Sequence, residues 1–130
     1  MPNVVFFSFK EADREVVLTT KGRALNSRYP ALNFKVQDLL KRWDTEDEAV
    51  IKQAITKNIK GTSRAIVFVG ANTHKSYWVP QEVKMTLNAG KPVYAIRIRG
   101  VNGLIPKCLS NNKITVHQWS EAKLQDLATK

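Results

Sequence analysis

The sequence of 130 residues is poor in cysteine and in long apolar runs. Its single cysteine, Cys108, excludes an internal disulfide framework and is a weak sign of a reducing compartment. Without a neighbouring cysteine, Cys108 is better interpreted as a small apolar residue than as a nucleophile. No apolar run approaches the roughly 18 residues that a membrane-spanning helix needs, and the apolar segment from Val4 to Phe7 follows no basic leader. We therefore expect a soluble cytoplasmic protein with no membrane partner.

Several ligand motifs are also missing. The two histidines, His74 and His117, have no companion ligand residues at metal-binding spacing, so we expect no metal site. The turn at residues 70–73 matches neither a P-loop nor a GxGxxG dinucleotide motif. Any nucleotide site in this chain must therefore be built in another way.

Acidic residues are scarce as well, and the 21 Lys and Arg against 11 Asp and Glu give a net charge of +10. Such an excess is informative about partners rather than about the fold. A nucleic-acid-binding protein concentrates its basic residues, whereas here they are scattered from Lys10 to Lys130. We expect no specific nucleic-acid partner, and a positive field that attracts small anions such as a dinucleotide.

What the sequence does contain is a regular alternation of strand and helix patterns. Residues 4–9 and 64–69 are nearly continuous apolar runs, as expected of strands that are covered on both faces. The other predicted elements are strands at 32–36, 93–98 and 114–116, helices at 12–25, 46–60 and 79–89, and a last helix capped by Ser120. Five strands alternating with helices predict a single α/β domain over residues 1–130 with a parallel sheet.

The expected topology points to one part of the sheet. Right-handed crossovers leave few arrangements, and we expect the flavodoxin-like strand order 2-1-3-4-5 in three layers, with helices on both faces. Open sheets of this kind bind ligands beyond the carboxyl ends of the strands, where the strand order reverses. That point lies between the first and third strands, so residues 9–13 and 70–82 should meet there.

Within the second of these segments, an aromatic ring and a carboxylate precede or begin a helix. Pro80 must lie in the first helical turn, because further in it would break the helix. Glu82 then lies within or just past that turn, where the helix dipole favours a carboxylate by about 0.3–1 kcal/mol. On spacing alone, an acid that only stabilises the helix start is the better interpretation of Glu82. Trp78 likewise suits a packing anchor, and Thr73 and Ser76 could simply accept bonds from free N–H groups.

These residues resemble the TIR and TIR-like domain family. Ser8-Phe9 at the end of the first strand, with Asp13 beyond it, looks like the start of such a domain. Residues 66–82 resemble the third strand and helix of the family, including its W-x-x-x-E pattern, which ends at Glu82. Residues 89–96 and 103–106 resemble the bacterial TIR-like subgroup that includes the Thoeris antiphage sensor ThsB.

The resemblance implies an enzyme that uses NAD as substrate and needs no resident cofactor. TIR enzymes, of NAD glycohydrolase or ADP-ribosyl cyclase type, cleave the bond between nicotinamide and ribose. The product implied is free ADP-ribose, a cyclic isomer or a conjugate, and in Thoeris it is a signal that activates a partner effector. The family's catalytic glutamate falls on Glu82. The positions that would bind the substrate fall on Ser8, Phe9, Lys10, Asn72, Thr73, Ser76 and Trp78.

The chemistry of the reaction is compatible with a single carboxylate. Breaking an N-glycosidic bond builds positive charge on the ribose, as in glycoside hydrolysis, and nicotinamide departs as a neutral base. Glu82 could hydrogen-bond the ribose hydroxyls, stabilise the developing cation and orient the attacking group. Lys10 could hold a phosphate, or it could be a solvated loop residue.

Other interpretations remain open at this point. The stretch 37–44 should correspond to the TIR BB loop. In assembled TIR enzymes that loop often completes a neighbour's active site, so the resemblance implies self-association. Trp43 would be a stacking residue in this loop, or a core or interface residue. A non-catalytic TIR-like scaffold would need the same core but not the carboxylate. A receiver-like regulator ranks low, because Phe9-Lys10 and Gly70-Ala71 replace the acids it needs. A nucleoside deoxyribosyltransferase would also use a glutamate on a similar fold.

Overall fold

The structure, a computed structural model, describes residues 4–17, 19, 35–37 and 48–129. The strands are β1 Val4–Ser8, β2 Lys35–Gln37, β3 Arg64–Val69, β4 Val93–Arg97 and β5 Val116–His117. The helices are α1 at 14–17, α2 Glu48–Lys60, α3 Trp78–Asn88, α4 Lys107–Ser110 and α5 Glu121–Thr129, and two 3₁₀ turns lie at Glu11–Asp13 and Thr73–Lys75.

The strands form one sheet in the order β2-β1-β3-β4-β5, and each neighbouring pair is parallel. In the register of β1 and β3, Phe7 lies beside Ile66 and Ser8 lies beside Val67. The predicted α/β fold with a parallel sheet is therefore confirmed. Because β1 and β3 are neighbours, the loops that follow them start side by side at the carboxyl edge of the sheet.

Apolar side chains cover both faces of the sheet, which is why β1 and β3 read as continuous apolar runs. On one face Phe7 and Phe68 meet edge to face, with ring centroids 4.7 Å apart, and pack with Leu124 and Leu127 of α5. On the other face Phe6 and Val67 pack in one cluster with the apolar side of α3 and with Leu109 of α4. The sheet thus lies between two helical layers, and its edge loops carry the remaining polar groups.

Two elements differ from their prediction. The last strand is Val116–His117 rather than 114–116, because the Ile114 N–H donates to the Leu109 carbonyl oxygen at 2.9 Å and so closes a turn instead of entering the sheet. Helix α4 was not predicted at all. It begins directly after Pro106, whose φ of −57° suits a helix start, and with four residues it is too short to show a helical period.

Other boundaries agree where the structure describes them. Ser120 caps α5, since its Oγ accepts the Lys123 N–H at 2.9 Å, as predicted. Residues 14–17 are helical within the predicted helix 12–25, after a 3₁₀ turn that takes up its first residues. Strand β2 overlaps the predicted strand 32–36 at residues 35–36, while residues 32–34 lie outside the described ranges. Of the stretch 37–44, only Gln37 is described, as the last residue of β2, so Trp43 also lies outside.

None of the helices in the described ranges combines the length and the apolar character that a membrane span requires.

Candidate functional site

The loop after β3 is held in place by its own buried side chains. Thr73 is fully buried, and its Oγ1 accepts the Gly70 N–H at 2.7 Å and donates to the Phe68 carbonyl oxygen at 3.3 Å. The Thr73 carbonyl oxygen accepts the Ser76 N–H at 3.0 Å, and Ser76 Oγ accepts the Val79 N–H at 3.2 Å. A continuous series of bonds therefore runs from the end of β3 to the first turn of α3. Ser76 accepts an N–H group at the helix start, as its spacing suggested, whereas the N–H group that Thr73 accepts belongs to Gly70 at the end of β3.

Glu82 lies on the buried face of α3. The buried residues of this helix recur at helical spacing, and they are Trp78, Val79, Glu82, Val83 and Thr86. Glu82 is only 1% exposed, and its backbone carbonyl accepts the Thr86 hydroxyl at 2.7 Å. The first turn of α3 holds no acidic residue, because Glu82 comes one turn after the helix begins at Trp78. The interpretation as a solvated acid at the helix start therefore loses its physical basis.

Burying a carboxylate such as that of Glu82 costs free energy unless hydrogen bonds or an opposite charge compensate for the lost water. Transferring a charged group out of water is strongly unfavourable without compensating interactions, so charged side chains on helices normally face solvent. Glu82 instead shares its face with Val79 and Val83, which pack in the cluster between α3 and the sheet. A buried acid at this position is an uncommon feature and makes Glu82 the leading candidate for chemistry in the described part of the chain.

The end of β1 supplies the other half of the candidate site. Ser8 is 1% exposed, and its Oγ has no hydrogen-bond partner within the described ranges. Phe9 is buried in the core cluster that includes Phe7 and Phe68. Lys10 is half-buried, and its carbonyl oxygen accepts the Asp13 N–H at 2.8 Å. Ser8 is thus a buried hydroxyl at the carboxyl edge, whereas Phe9 belongs to the core.

Trp78 is placed among helices rather than at the sheet edge. It packs with Ile51, Ile55 and Ile59 of α2 and is 8% exposed. The Tyr77 ring meets it edge to face at a centroid distance of 5.1 Å. This environment is that of a packing anchor, the alternative that its spacing suggested. Its assignment to substrate binding stays a prediction, as does that of Asn72, which is exposed in the loop.

Asp13 is the residue whose position the sequence analysis did not anticipate. Its carboxylate lies against Gly70, because a Cβ built on Gly70 would come within 2.3 Å of Asp13 Oδ2. Burial raises the pKa of Asp13, and the nearby Lys10 ammonium and a hydrogen bond with Thr73 offset part of that rise. The predicted meeting of the loops after β1 and β3 is therefore seen directly at this contact. The signal in the sequence was the topology, since Asp13 falls within the predicted loop 9–13.

A second interaction joins the starts of α2 and α3 on the surface. The Tyr77 hydroxyl donates a hydrogen bond to the Glu48 carboxylate, and Lys52 lies 3.6 Å from the same carboxylate. This hydrogen bond lowers the pKa of Glu48 and raises the pKa of Tyr77. Tyr77 is 56% exposed, so the pair is a solvated brace between two helices and not part of the buried edge.

A groove with a volume of about 450 Å³ lies elsewhere, between the carboxyl-terminal ends of α2 and α3. Its lining includes Ile59 and Met85 on the apolar side and Lys60 and Lys91 on the basic side. Because α2 leads into the start of β3 and α3 into the start of β4, this groove is at the amino end of the sheet. It therefore lies away from Ser8 at the carboxyl edge, and Met85 in its lining follows Glu82 by one turn of α3. Within the described residues, no group of three His, Cys, Asp or Glu side chains is arranged to hold a metal ion.

Comparison with known proteins places this architecture in a family. The family described as "Thoeris protein ThsB, TIR-like domain" matches residues 6–103. Among solved structures, the TIR domain of the Toll-related receptor TRR-2 from Hydra magnipapillata is similar, with a TM-score of 0.63 and 18% sequence identity. That alignment covers 95% of this chain and 90% of the Hydra chain, and at such low identity it establishes the shared fold alone. A search of curated proteins found no match.

The family match runs from β1 to the loop after β4 and so includes the whole edge that carries Ser8, Asp13, Gly70 and Glu82. It covers well over half of the chain, and the parallel sheet between helical layers agrees with it. The chain therefore belongs to the Thoeris ThsB family of TIR-like domains.

Proposed function

We propose that this TIR-type signalling module of antiphage defence is an enzyme that cleaves the nicotinamide–ribose bond of NAD, with Glu82 as its catalytic carboxylate. The observation that carries the proposal is the burial of Glu82 on the packed face of α3. A helix can satisfy its packing there with an apolar residue at lower cost. An acid kept at this position, in the helix that follows the switch point of the sheet, suits a ligand-binding edge.

The chemistry needs one carboxylate and no metal. The bond between the ribose anomeric carbon and the nicotinamide nitrogen breaks, and its electron pair leaves with the neutral nicotinamide. Positive charge develops on the ribose, where a fixed carboxylate in a dry site stabilises it far better than water does. Water, or an internal group in the cyclising reaction, then attacks the anomeric carbon. Glu82 orients this nucleophile and accepts its proton, giving ADP-ribose or a cyclic isomer.

The remaining site residues have supporting roles in this proposal. Ser8 offers a buried hydroxyl without a partner in the described ranges, which suits a substrate hydroxyl or phosphate oxygen. Lys10 adds a half-buried cation beside it, and Asn72 lies exposed in the loop opposite. The net charge of +10 favours the approach of a dinucleotide. Phe9, Thr73, Ser76 and Trp78 would act mainly by shaping and fixing this pocket.

The product would act as a diffusible signal that activates a separate effector in the cytoplasm. Its identity is best expressed as an ADP-ribose derivative, either cyclic or conjugated. TIR-like domains commonly self-associate, and we propose that assembly of several copies, or a signal from infection, switches the enzyme on. The residues that would correspond to a BB loop, 38–44, lie outside the described ranges.

Substitution of Glu82 tests the proposal directly. Glu82→Gln keeps the shape of the side chain and removes its charge, so nicotinamide release should fall by about 100- to 1000-fold, as for other lost electrostatic contacts. The measurement is mass spectrometry of small molecules from cells that express either chain, with and without phage, together with NAD turnover by the purified proteins.

The matched control is Glu121→Gln, which changes a glutamate in the first turn of α5. This variant should retain the NAD turnover of the wild type. Continued NAD consumption by a folded Glu82→Gln protein would contradict the proposal, and so would equal losses in both variants. Deoxynucleosides offered in place of NAD should not be cleaved, which separates this enzyme from a deoxyribosyltransferase.

A non-catalytic interaction module is the second candidate, and one observation favours it. Leu104 and Ile105 are 69% and 45% exposed in the loop after β4, at the same edge of the sheet. Exposed apolar side chains at a loop are a common feature of protein contacts. Assembly with a partner that needs Leu104 but leaves NAD unchanged, even in phage-infected cells, would favour this function over the enzyme.

A further inference from the structure

We propose that Asp13 is a positioning residue, which fixes the loop 70–76 and through it the placement of Glu82. This role rests on the proposed function, because the placement of Glu82 affects NAD turnover only if Glu82 is catalytic. Asp13 does not touch the reacting atoms in this proposal. It acts through Gly70 and Thr73, and the contact itself can be tested without any substrate.

The first part of the argument is the close approach of Asp13 to Gly70. A Cβ on Gly70 would lie 2.3 Å from Asp13 Oδ2 and 2.6 Å from Oδ1. Any side chain at position 70 would therefore displace the carboxyl group. The nearest atoms to such a Cβ all belong to Asp13. The Asp13 carboxyl thus occupies the space beside Gly70, and this contact ties the loop after β1 to the loop after β3.

The second part is the hydrogen bonding of Thr73, which connects Asp13 to α3. The Thr73 hydroxyl lies close enough to the Asp13 carboxyl to lower its pKa, and it accepts the Gly70 N–H at 2.7 Å. Its single proton goes to the Phe68 carbonyl oxygen at 3.3 Å. From Thr73 the bonds continue through Ser76 to the N–H of Val79 in the first turn of α3. Glu82 follows in the next turn of the same helix.

A third loop presses on the same point. A Cβ on Gly103 would come within 2.0 Å of the Gly70 carbonyl oxygen, so the loop after β4 also packs on Gly70 without a side chain between them. The Arg97 guanidinium holds this loop, since Nη1 donates to the Gly103 carbonyl oxygen at 2.8 Å. Gly70 is thus enclosed between Asp13 and Gly103, and it has little freedom to move.

The fourth part concerns what Asp13 contributes to the free energy of unfolding. Its Oδ2 is buried and has no hydrogen-bond partner within the described ranges, and burial raises its pKa. At a pH above this pKa, the folded protein therefore holds a charged carboxylate that is partly removed from water. A residue present only for stability would be better replaced by a neutral isostere. The buried carboxyl is consistent with a role in holding the loop 70–76 through its close packing against Gly70.

The experiment compares Asp13→Asn and Asp13→Ala with the wild type. Asp13→Asn keeps the volume and one acceptor, so we expect an equal or higher melting temperature at pH 7 but faster hydrogen exchange of the amides in residues 70–76. For NAD turnover we expect kcat to fall by about 10- to 100-fold with KM changed by less than about threefold, because a displaced catalytic group loses mainly the chemical step. Asp13→Ala should lower kcat further, so that Asp13→Asn retains part of the turnover that Asp13→Ala loses.

The matched control is Asp126→Asn, which removes an aspartate from the surface of α5 that lies 3.6 Å from Lys123. It should leave both hydrogen exchange of 70–76 and turnover unchanged. A stable Asp13→Asn protein with wild-type kcat and wild-type exchange would overturn the proposal. A fall of kcat only in proportion to lost folded protein would overturn it too, since that is the behaviour of a purely structural residue.

A double-mutant cycle separates this proposal from the proposed function. Gly70→Ala should lower the melting temperature and speed exchange of 70–76 when Asp13 is present, because the new methyl group displaces the carboxyl. In the Asp13→Ala background the same substitution should have a much smaller effect, since the colliding atoms are gone. Strictly additive effects would overturn the positioning role. If the cycle shows coupling but the wild type never releases nicotinamide, then the proposed function fails while the Asp13 contact stands.

Discussion

The two ends of the sheet bury different kinds of groups. At the carboxyl edge, acids and hydroxyls lie in the interior, where Glu82, Ser8 and Thr73 are each at most 1% exposed. At the amino edge, Lys60 is exposed and Lys91 is half-buried around a groove whose apolar side is formed by Ile59 and Met85. The groove is the more obvious hollow, yet its lysines are exposed or bonded to backbone carbonyl oxygens. The difference shows that buried polarity, and not the size of a cavity, marks the candidate site.

The largest difference in stability between the two ends is expected when one hydroxyl is removed at each. Thr73→Val keeps the β-branched shape but leaves the Gly70 N–H without its acceptor, so we expect a loss of about 1–3 kcal/mol in the free energy of unfolding. Denaturant titration of the purified protein measures it. The control at the other end is Thr56→Val, since the exposed Thr56 hydroxyl donates to the Lys52 carbonyl oxygen. There we expect a change within about 0.5 kcal/mol, and equal losses at the two ends would contradict the comparison.

A smaller effect is expected at the amino edge from Lys91. Its ammonium group donates to the Ile59 carbonyl oxygen and lies 3.4 Å from the Lys60 carbonyl oxygen, at the end of α2. Lys91→Met keeps the apolar stem and removes the donor, so we expect a loss of about 1 kcal/mol with unchanged NAD turnover. Thermal unfolding and a nicotinamide-release assay measure the two quantities. The exposed Lys57, in the last turn of α2, is the control, and Lys57→Met should be nearly neutral.

A fall in turnover of Lys91→Met beyond its loss of folded protein would break the comparison, because it would give the basic groove a part in the reaction.

The smallest effect should come from the surface brace between Tyr77 and Glu48, and it should depend on pH. The pKa of Glu48 is lowered from its ordinary 4.5 by the bond from Tyr77, so its contribution is full above pH 4.5 and disappears as pH falls through the lowered value. The pKa of Tyr77 is raised from its ordinary 10.0, so the contribution is also lost as pH rises through the raised value. Tyr77→Phe should therefore reduce stability slightly between these limits and not outside them.

Thermal unfolding of wild type and Tyr77→Phe across the pH range tests this window. A difference that persists unchanged in strong acid would show that packing of the ring, rather than the hydrogen bond, was responsible.

The sequence predicted those parts of the fold whose signal is local and continuous. Strand β3 was predicted with its observed ends, because an unbroken apolar run lies between the turn after α2 and Gly70. Helix α4 was missed because four residues are less than two helical turns. The strand at 114–116 was misplaced since its first N–H closes a turn with Leu109, which spacing along the chain does not reveal.

For the candidate site, the sequence indicated the edge but not its internal contacts. Topology and the family resemblance both selected Glu82, whereas its spacing alone favoured a solvated helix-start acid. Only the packing of α3 shows that this position is buried. The contact of Asp13 with Gly70 joins residues far apart in the chain, and no local pattern encodes such a contact. The role of Trp78 was left between a pocket wall and a packing anchor, and its contacts with α2 are those of an anchor.

The close packing around Gly70 restricts how the lengths of three loops can change. With Asp13 on one side and the backbone of Gly103 on the other, the loops after β1, β3 and β4 behave as one mechanical part. A change in the length of any one of these loops would alter the packing of the other two. Substitutions of exposed side chains on the outer rim, such as Asn72 and Leu104, should therefore disturb this packing less than insertions or deletions in a single loop.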